Sequence, residues 1–185
     1  MKRKLLIIFG IVAILAVLSA GTIAYFTAET TAKNVISTGN VQMVVHETTA
    51  SGAEFPKEGV VIMPGDTVSK IVTVENTGNQ PFYLRIRLTQ AVNDEKLTAD
   101  GCLNIQINRT YWLEKDGYYY YYRALNAGEK TEPLFSEVNF DLFGIDNRYI
   151  GKNFTLDVDA SAVQSKNNGG DVLNAIGWPE EGGKS

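Results

Sequence analysis

The stretch "FYLRIRLT", residues 82–89, decides the fold class. Phe82, Leu84, Ile86 and Leu88 alternate without fault against Tyr83, Arg85, Arg87 and Thr89. Side chains on a strand point to opposite faces, so period-two alternation predicts a strand with one face buried and one wet. A slip of one residue would drive Arg85 and Arg87 into the core, which fixes the register. The same signal recurs on either side. Val41, Met43 and Val45 alternate with Gln42 and, imperfectly, with Val44 and His46. Leu103, Ile105 and Ile107 alternate with Asn104, Gln106 and Asn108. Phe154, Leu156, Val158, Ala160 and Ala162 alternate with Asn153, Thr155, Asp157, Asp159 and Ser161.

The punctuation between these runs is turn chemistry: Pro64-Gly65-Asp66, Thr77-Gly78-Asn79, Asp116-Gly117 and Asn168-Gly169-Gly170. "YWLEKDGYYYYYR" reads as a hairpin, Tyr111 to Leu113 going out and Tyr118 to Tyr122 returning across Asp116-Gly117. Helical periodicity is weak, with short helices or turns expected at Gln90 to Ala99 and at Val172 to Ile176. The expectation is an all-β chain, a jelly-roll-like two-sheet β-sandwich with short flanking helices. The final "PEEGGKS" is expected to fray.

The N-terminus has a different character. Lys2-Arg3-Lys4 is followed by no charge until Glu29, and Leu5 to Leu18 is almost purely aliphatic. A basic start, an apolar run and a small-residue border make a secretory signal peptide, with Thr22 and Ala24 at −3 and −1 and the cut before Tyr25. An uncleaved anchor is the competing reading, because the uncharged run from Leu5 to Ala28 is long enough to span a bilayer. Removing Lys2, Arg3 and Lys4 takes the formal net charge from −4 to −7. Such an acidic domain lacks the basic patch that nucleic acid requires, and it is repelled by anionic lipid. Cys102 is the single cysteine, so no internal disulfide forms and a hydrophobic core must hold the fold.

Catalytic constellations are thin. "HETTA" at 46–50 begins like a zinc-protease motif, but the second histidine's place is Ala50 and His46 is the sole histidine. Nucleophilic catalysis lacks a base other than His46, and neither a nucleophile elbow nor a phosphate loop is present. Asp157 and Asp159 share a strand face and are expected to meet Arg85 or Arg87 across a sheet as a surface ion pair worth about 0–1 kcal/mol. No catalytic, cofactor-binding or metal residue is assigned. Tyr118 to Tyr122 reads as a strand aromatic on both faces, either covered on both or presented as a contact surface.

The order of basic start, apolar run, "GTIAYFTAETTAKNVISTGNVQMVV", "MPGDTVSKIVTVENTGNQPFYLRIRL" and "KDGYYYYYRALNAGEKTEPLF" resembles the TasA/camelysin family of exported Gram-positive proteins, from the chain start to about Gln164. The family's acidic residue soon after the cut is poorly matched, since Thr27-Ala28 precede Glu29. The resemblance implies processing by a SipW-type signal peptidase at Thr22, Ala24 and Tyr25. It also implies a secreted life in the extracellular matrix or at the cell surface, as a subunit or accessory component of biofilm-matrix fibres. There the freed segment from Tyr25 to Ile36, through Tyr25, Phe26, Thr27, Thr30, Thr31, Val35 and Ile36, would add as a strand to a neighbouring copy or another matrix subunit. The expected organisation is a signal peptide at 1–24, a donor segment at 25–40, a sandwich at 41–166 and a tail at 167–185. Two other expectations stand beside it: a camelysin-like metalloprotease, and a monomeric surface adhesin. Membrane contact is expected only through the N-terminal segment before cleavage, with no cofactor and no nucleic acid.

Overall fold

The computed structural model describes residues 26–29, 32–38, 41–57 and 59–179; the expected signal peptide and cleavage position lie outside them. The protein is nearly all β. In chain order the strands are β1 (Phe26–Glu29), β2 (Ala32–Thr38), β3 (Met43–Thr48), β4 (Val60–Ile62), β5 (Thr67–Ser69) and β6 (Ile71–Asn76). There follow β7 (Phe82–Val92), β8 (Leu103–Ile105), β9 (Trp112–Lys115), β10 (Tyr118–Tyr121), β11 (Glu137–Phe140) and β12 (Asn153–Gln164).

Seven strands form the main sheet in the order β4-β1-β12-β7-β10-β9, with β2 also on β12. Opposite it lie β5-β11-β8 and the pair β3-β6. Main-chain bonds join these two small sheets: Lys70 N–H donates to Ser136 O, Val72 N–H to Phe135 O, Leu134 N–H to Val72 O and Thr131 N–H to Val74 O. Together they make a second layer. One core fills the space between the layers, with Ile62, Leu84, Ile86, Trp112, Phe154, Leu156 and Val158 from the main sheet meeting Val72, Val74, Leu134, Phe135, Val138 and Phe140 from the other. Each such aliphatic or aromatic side chain contributes about 1.5–3 kcal/mol on burial.

The alternating runs land on strands. β7 and β12 are antiparallel from Phe82↔Gln164 to Val92↔Phe154, and the burial of β12 alternates along most of its length. The strand β7 extends past Leu88 to Val92, so the helix or turn expected from Gln90 is corrected. Gln90 to Val92 belongs to the strand, and only turns follow as far as Ala99. The pairing with β12 outcompetes weak helical periodicity there. In the hairpin, Lys115 pairs with Tyr118 across Asp116 (φ 53°) and Gly117 (φ 77°). Both central residues are left-handed, the turn whose twist matches the strands.

Of the flanking helices, only 3-10 turns exist among the described residues, at Asn147–Tyr149 and Val172–Asn174. The second lies in the segment expected to be tail. That expectation is corrected as far as Pro179: Val172 and Ala175 are buried against Tyr83, Tyr120 and Val163. Residues 180–185 fall outside the described residues. Cys102 is fully buried; its Sγ lies 3.6 Å from Thr98 O and 3.4 Å from Gly144 O, and burial pushes the thiol pKa up.

Lys70 is the anomaly of the core. At 1 % exposure it lies over the Phe55 ring, 5.1 Å from the centroid, and its Nζ meets Glu47 Oε1 at 2.9 Å. Burial pulls its pKa below the ordinary lysine value, and the Glu47 carboxylate opposes that pull. Removing one partner strands the other charge in a low dielectric, at a cost of about 3–5 kcal/mol. We therefore expect Glu47→Ala to lose about 3 kcal/mol in urea unfolding, and the double variant Glu47→Leu/Lys70→Met to recover most of that loss. A double variant no more stable than the single one would show that the pair is not a coupled unit.

Candidate functional site

β12 is paired on both edges. One edge is β7; the other carries the N-terminal segment in parallel, Thr27 to Glu29 opposite Asn153 to Thr155 and Ala32 to Thr38 opposite Val158 to Val163. The register shifts between Asp159 and Ser161. β1 is also clasped on its far side by β4, with Phe26↔Ile62, Thr27↔Val61 and Ala28↔Val60 antiparallel. The expected donor residues therefore separate into three groups. Phe26 and Thr27 lie in a slot between β4 and β12, and Val35 and Ile36 lie in β2 on the free length of β12. Tyr25, Thr30 and Thr31, with the processing residues Thr22 and Ala24, fall outside the described residues.

The long strand runs that mark β7 and β12 were legible, whereas β4 (VVI) and β11 (EVNF) were not. Strands of three or four residues leave too few positions for alternation to register.

The far edge of β7 pairs with β10 at Arg85↔Tyr120 and Ile86↔Tyr119. Beyond that crossing a cleft of about 410 Å³ opens between the layers, lined by Leu88, Gln90, Leu103, Asn104, Ile107 and Tyr119. Gly101, Ile105 and the carboxylate-bearing Asp141 complete a lining whose exposed surface is mainly polar.

The tyrosine strand is covered on both faces. Tyr119 and Tyr121 belong to the main core, where Tyr121 lies 5.2 Å from the Trp112 ring. Tyr120 lies under the C-terminal segment, edge-on to Trp178 at 5.7 Å. Arg85 is held between rings, with its guanidinium carbon 3.9 Å from the Tyr118 centroid and 4.7 Å from that of Trp178. Its Nη2 donates to Pro179 O at 3.2 Å. The register sets Ser161 opposite Arg85 and Asp159 opposite Arg87. The expected meeting of Arg85 with the strand carboxylates thus gives way to an aromatic clamp, because the C-terminal segment reaches Arg85 first. Tyr122 remains exposed, against Tyr111 and Tyr121.

His46 lies on β3, its Nε2 2.8 Å from Glu75 Oε2, with Lys130 Nζ at 3.6 Å from the same oxygen. These neighbours, His46 foremost, hold the Glu75 carboxyl below the usual carboxylate range. Among the described residues no three histidine, cysteine or acidic side chains come together as a metal site. Also among them, no helix is long and apolar enough to cross a membrane. The chain matches no family model, no curated protein and no solved structure.

Two outcomes follow from the tyrosine strand. Trp178→Ala should lower stability by about 2 kcal/mol and uncover Tyr120, read as increased binding of a hydrophobic dye. The second concerns Glu129, which accepts from Arg123 Nη1 at 2.6 Å and from Asn126 N–H, and is held down to about 2 from an ordinary 4.5. A depressed folded pKa means that its contribution is complete above about 4.5 and fades as pH falls towards about 2. Carbon-detected NMR should place the titration near 2, and Glu129→Gln should lose less melting temperature than the parent across that window.

Proposed function

We propose that this chain is an exported structural subunit that polymerises by strand exchange, with Tyr25 to Ile36 as the exchanged segment. On this reading a SipW-type peptidase cuts between Ala24 and Tyr25, and the mature domain is a jelly roll of the TasA/camelysin kind acting in or beside a matrix fibre. One observation supports it above others: Asn153 to Thr155 and Val158 to Val163 on one edge of β12 pair through the main chain with a segment from the chain's start. A ladder made of backbone N–H and C=O groups is indifferent to which copy supplies the strand. The same segment offered by a neighbour would fill the slot between β4 and β12 with the same register. Departure of a chain's own segment leaves two open edges, Val60–Ile62 and Asn153–Val163, and an open edge invites pairing. Each copy then gives one segment and receives one. Such a contact is head to tail and grows an open filament rather than a closed ring.

The proposal is structural rather than catalytic. His46 is engaged by Glu75, and the residues lining the cleft beside Leu88, Asp141 and Tyr119 among them, include no serine, cysteine or histidine.

Electron microscopy of residues 25–185 and of residues 37–185 tests the assignment. The longer chain should form filaments and the shorter should not. A synthetic peptide of residues 25–38 added to the shorter chain should raise its melting temperature while leaving it monomeric. Equal filament formation by the two chains removes the exchange role.

A further inference from the structure

One end of the sandwich is unusually greasy. Phe143 is 92 % exposed, and Met63 and Leu142 are each 58 % exposed. Val61, one residue before the end of β4, is 60 % exposed. Met63, Leu142 and Phe143 come from two adjoining turns. Gly65 N–H donates to Phe140 O, Phe140 N–H donates to Asp66 O, and Met63 N–H donates to Asp66 Oδ2. A Cβ at Gly65 would touch Leu142 Cδ1 at 3.8 Å. The Phe143 loop is held in turn by Asp141, whose Oδ1 accepts from Phe143 N–H at 2.8 Å and Gly144 N–H at 2.7 Å. The apolar side chains are thus fixed at the tip by hydrogen-bonded turns rather than loosely placed.

The chain enters the fold at this same end. Phe26 stands opposite Ile62 in an antiparallel pair, so β1 begins beside the end of β4 that leads into Met63. Ala24 precedes Phe26 by two positions, a reach of at most about 7 Å. Leu5 to Ala24 is an uncharged stretch, led by Lys2-Arg3-Lys4, of the length of about 20 residues that spans a hydrocarbon core. The polar zone beyond each side of that core is only about 5–8 Å deep. A domain joined to a span by so short a link has this end at headgroup level.

We propose that, in the chain that still carries its leader, the Met63, Leu142 and Phe143 tip inserts into the outer bilayer interface. The partner is a lipid surface, and the domain stands on it with β12 rising from it. Asp66 and Asp141 border the tip, so neutral zwitterionic headgroups suit it better than anionic ones. The apolar patch is small and would hold weakly by itself; the leader supplies the local concentration. This contact is separate from strand exchange, since it uses the outer surfaces of two turns and precedes the cut.

The test uses the full chain in phosphatidylcholine nanodiscs, with an environment-sensitive dye on Phe143→Cys and, in a second preparation, on Lys166→Cys. Cys102 is fully buried and escapes labelling. Lys166 follows the far end of β12, about 35 Å from the tip at 3.3 Å per residue. Lipids bearing a quencher near the headgroup should dim the dye at 143 at least threefold more than the dye at 166. A second measurement avoids labels: Leu142→Asp/Phe143→Asp should leave thermal stability unchanged, because both side chains are exposed, yet increase tryptic cleavage in nanodiscs at Arg148, an exposed residue of the loop between Phe143 and the start of β12. Equal quenching at the two positions, with no change in cleavage, would overturn the proposal.

Discussion

The two-sided pairing of β12 is the constraint on which the rest of the molecule depends. Its residues from Asn153 to Gln164 are laddered to β7 along one edge and to β1 and β2 along the other. A strand in the middle of a sheet must satisfy donors and acceptors in both directions. Its core face, from Phe154 through Ala162, is buried against the second layer, and Val163 on the reverse face lies under the C-terminal segment. Parallel pairing along one edge demands a strand that arrives from the same direction, and the start of the chain provides it. The interaction that completes the fold is also the one we propose is exchanged between copies.

Polar groups inside the sandwich are few, and they tie elements together. The Lys70–Glu47 pair links β3 to the residue that separates β5 from β6. Asn76, fully buried, donates through Nδ2 to Gln80 O and Leu125 O and accepts from Gly78 N–H, so it fastens the turn that leads into β7. Thr131 Oγ1 accepts from Val74 N–H and ties the long connection after the tyrosine strand onto β6. An uncompensated group costs about 1–3 kcal/mol at the two neutral sites and about 3–5 kcal/mol at the ion pair, so they select one arrangement of otherwise interchangeable apolar strands.

The aromatic-rich hairpin shows how a sequence that looks adhesive becomes structural. The four tyrosines of β10 divide between two hydrophobic clusters, and Arg85 provides a cationic plate between Tyr118 and Trp178. Flat rings cover large area with little side-chain entropy to lose. At the opposite end of β12, Met63, Leu142 and Phe143 are exposed together.

Residue by residue, period-two alternation determined the core faces of β7 and β12, and Asp116-Gly117 determined the hairpin turn, because both signals act over a few neighbouring residues. The apolar run from Leu5 to Leu18 and the small residues that follow it are likewise local signals. Tertiary structure alone decided which strand lies beside which, the parallel docking of β1 and β2, the burial of Lys70, and the C-terminal cover over Tyr120. Those outcomes join residues well separated along the chain, from Glu47 and Lys70 to Thr27 and Asn153. No local pattern encodes such a pairing; it follows from which edges and faces are left to be filled once the strongest strands have met.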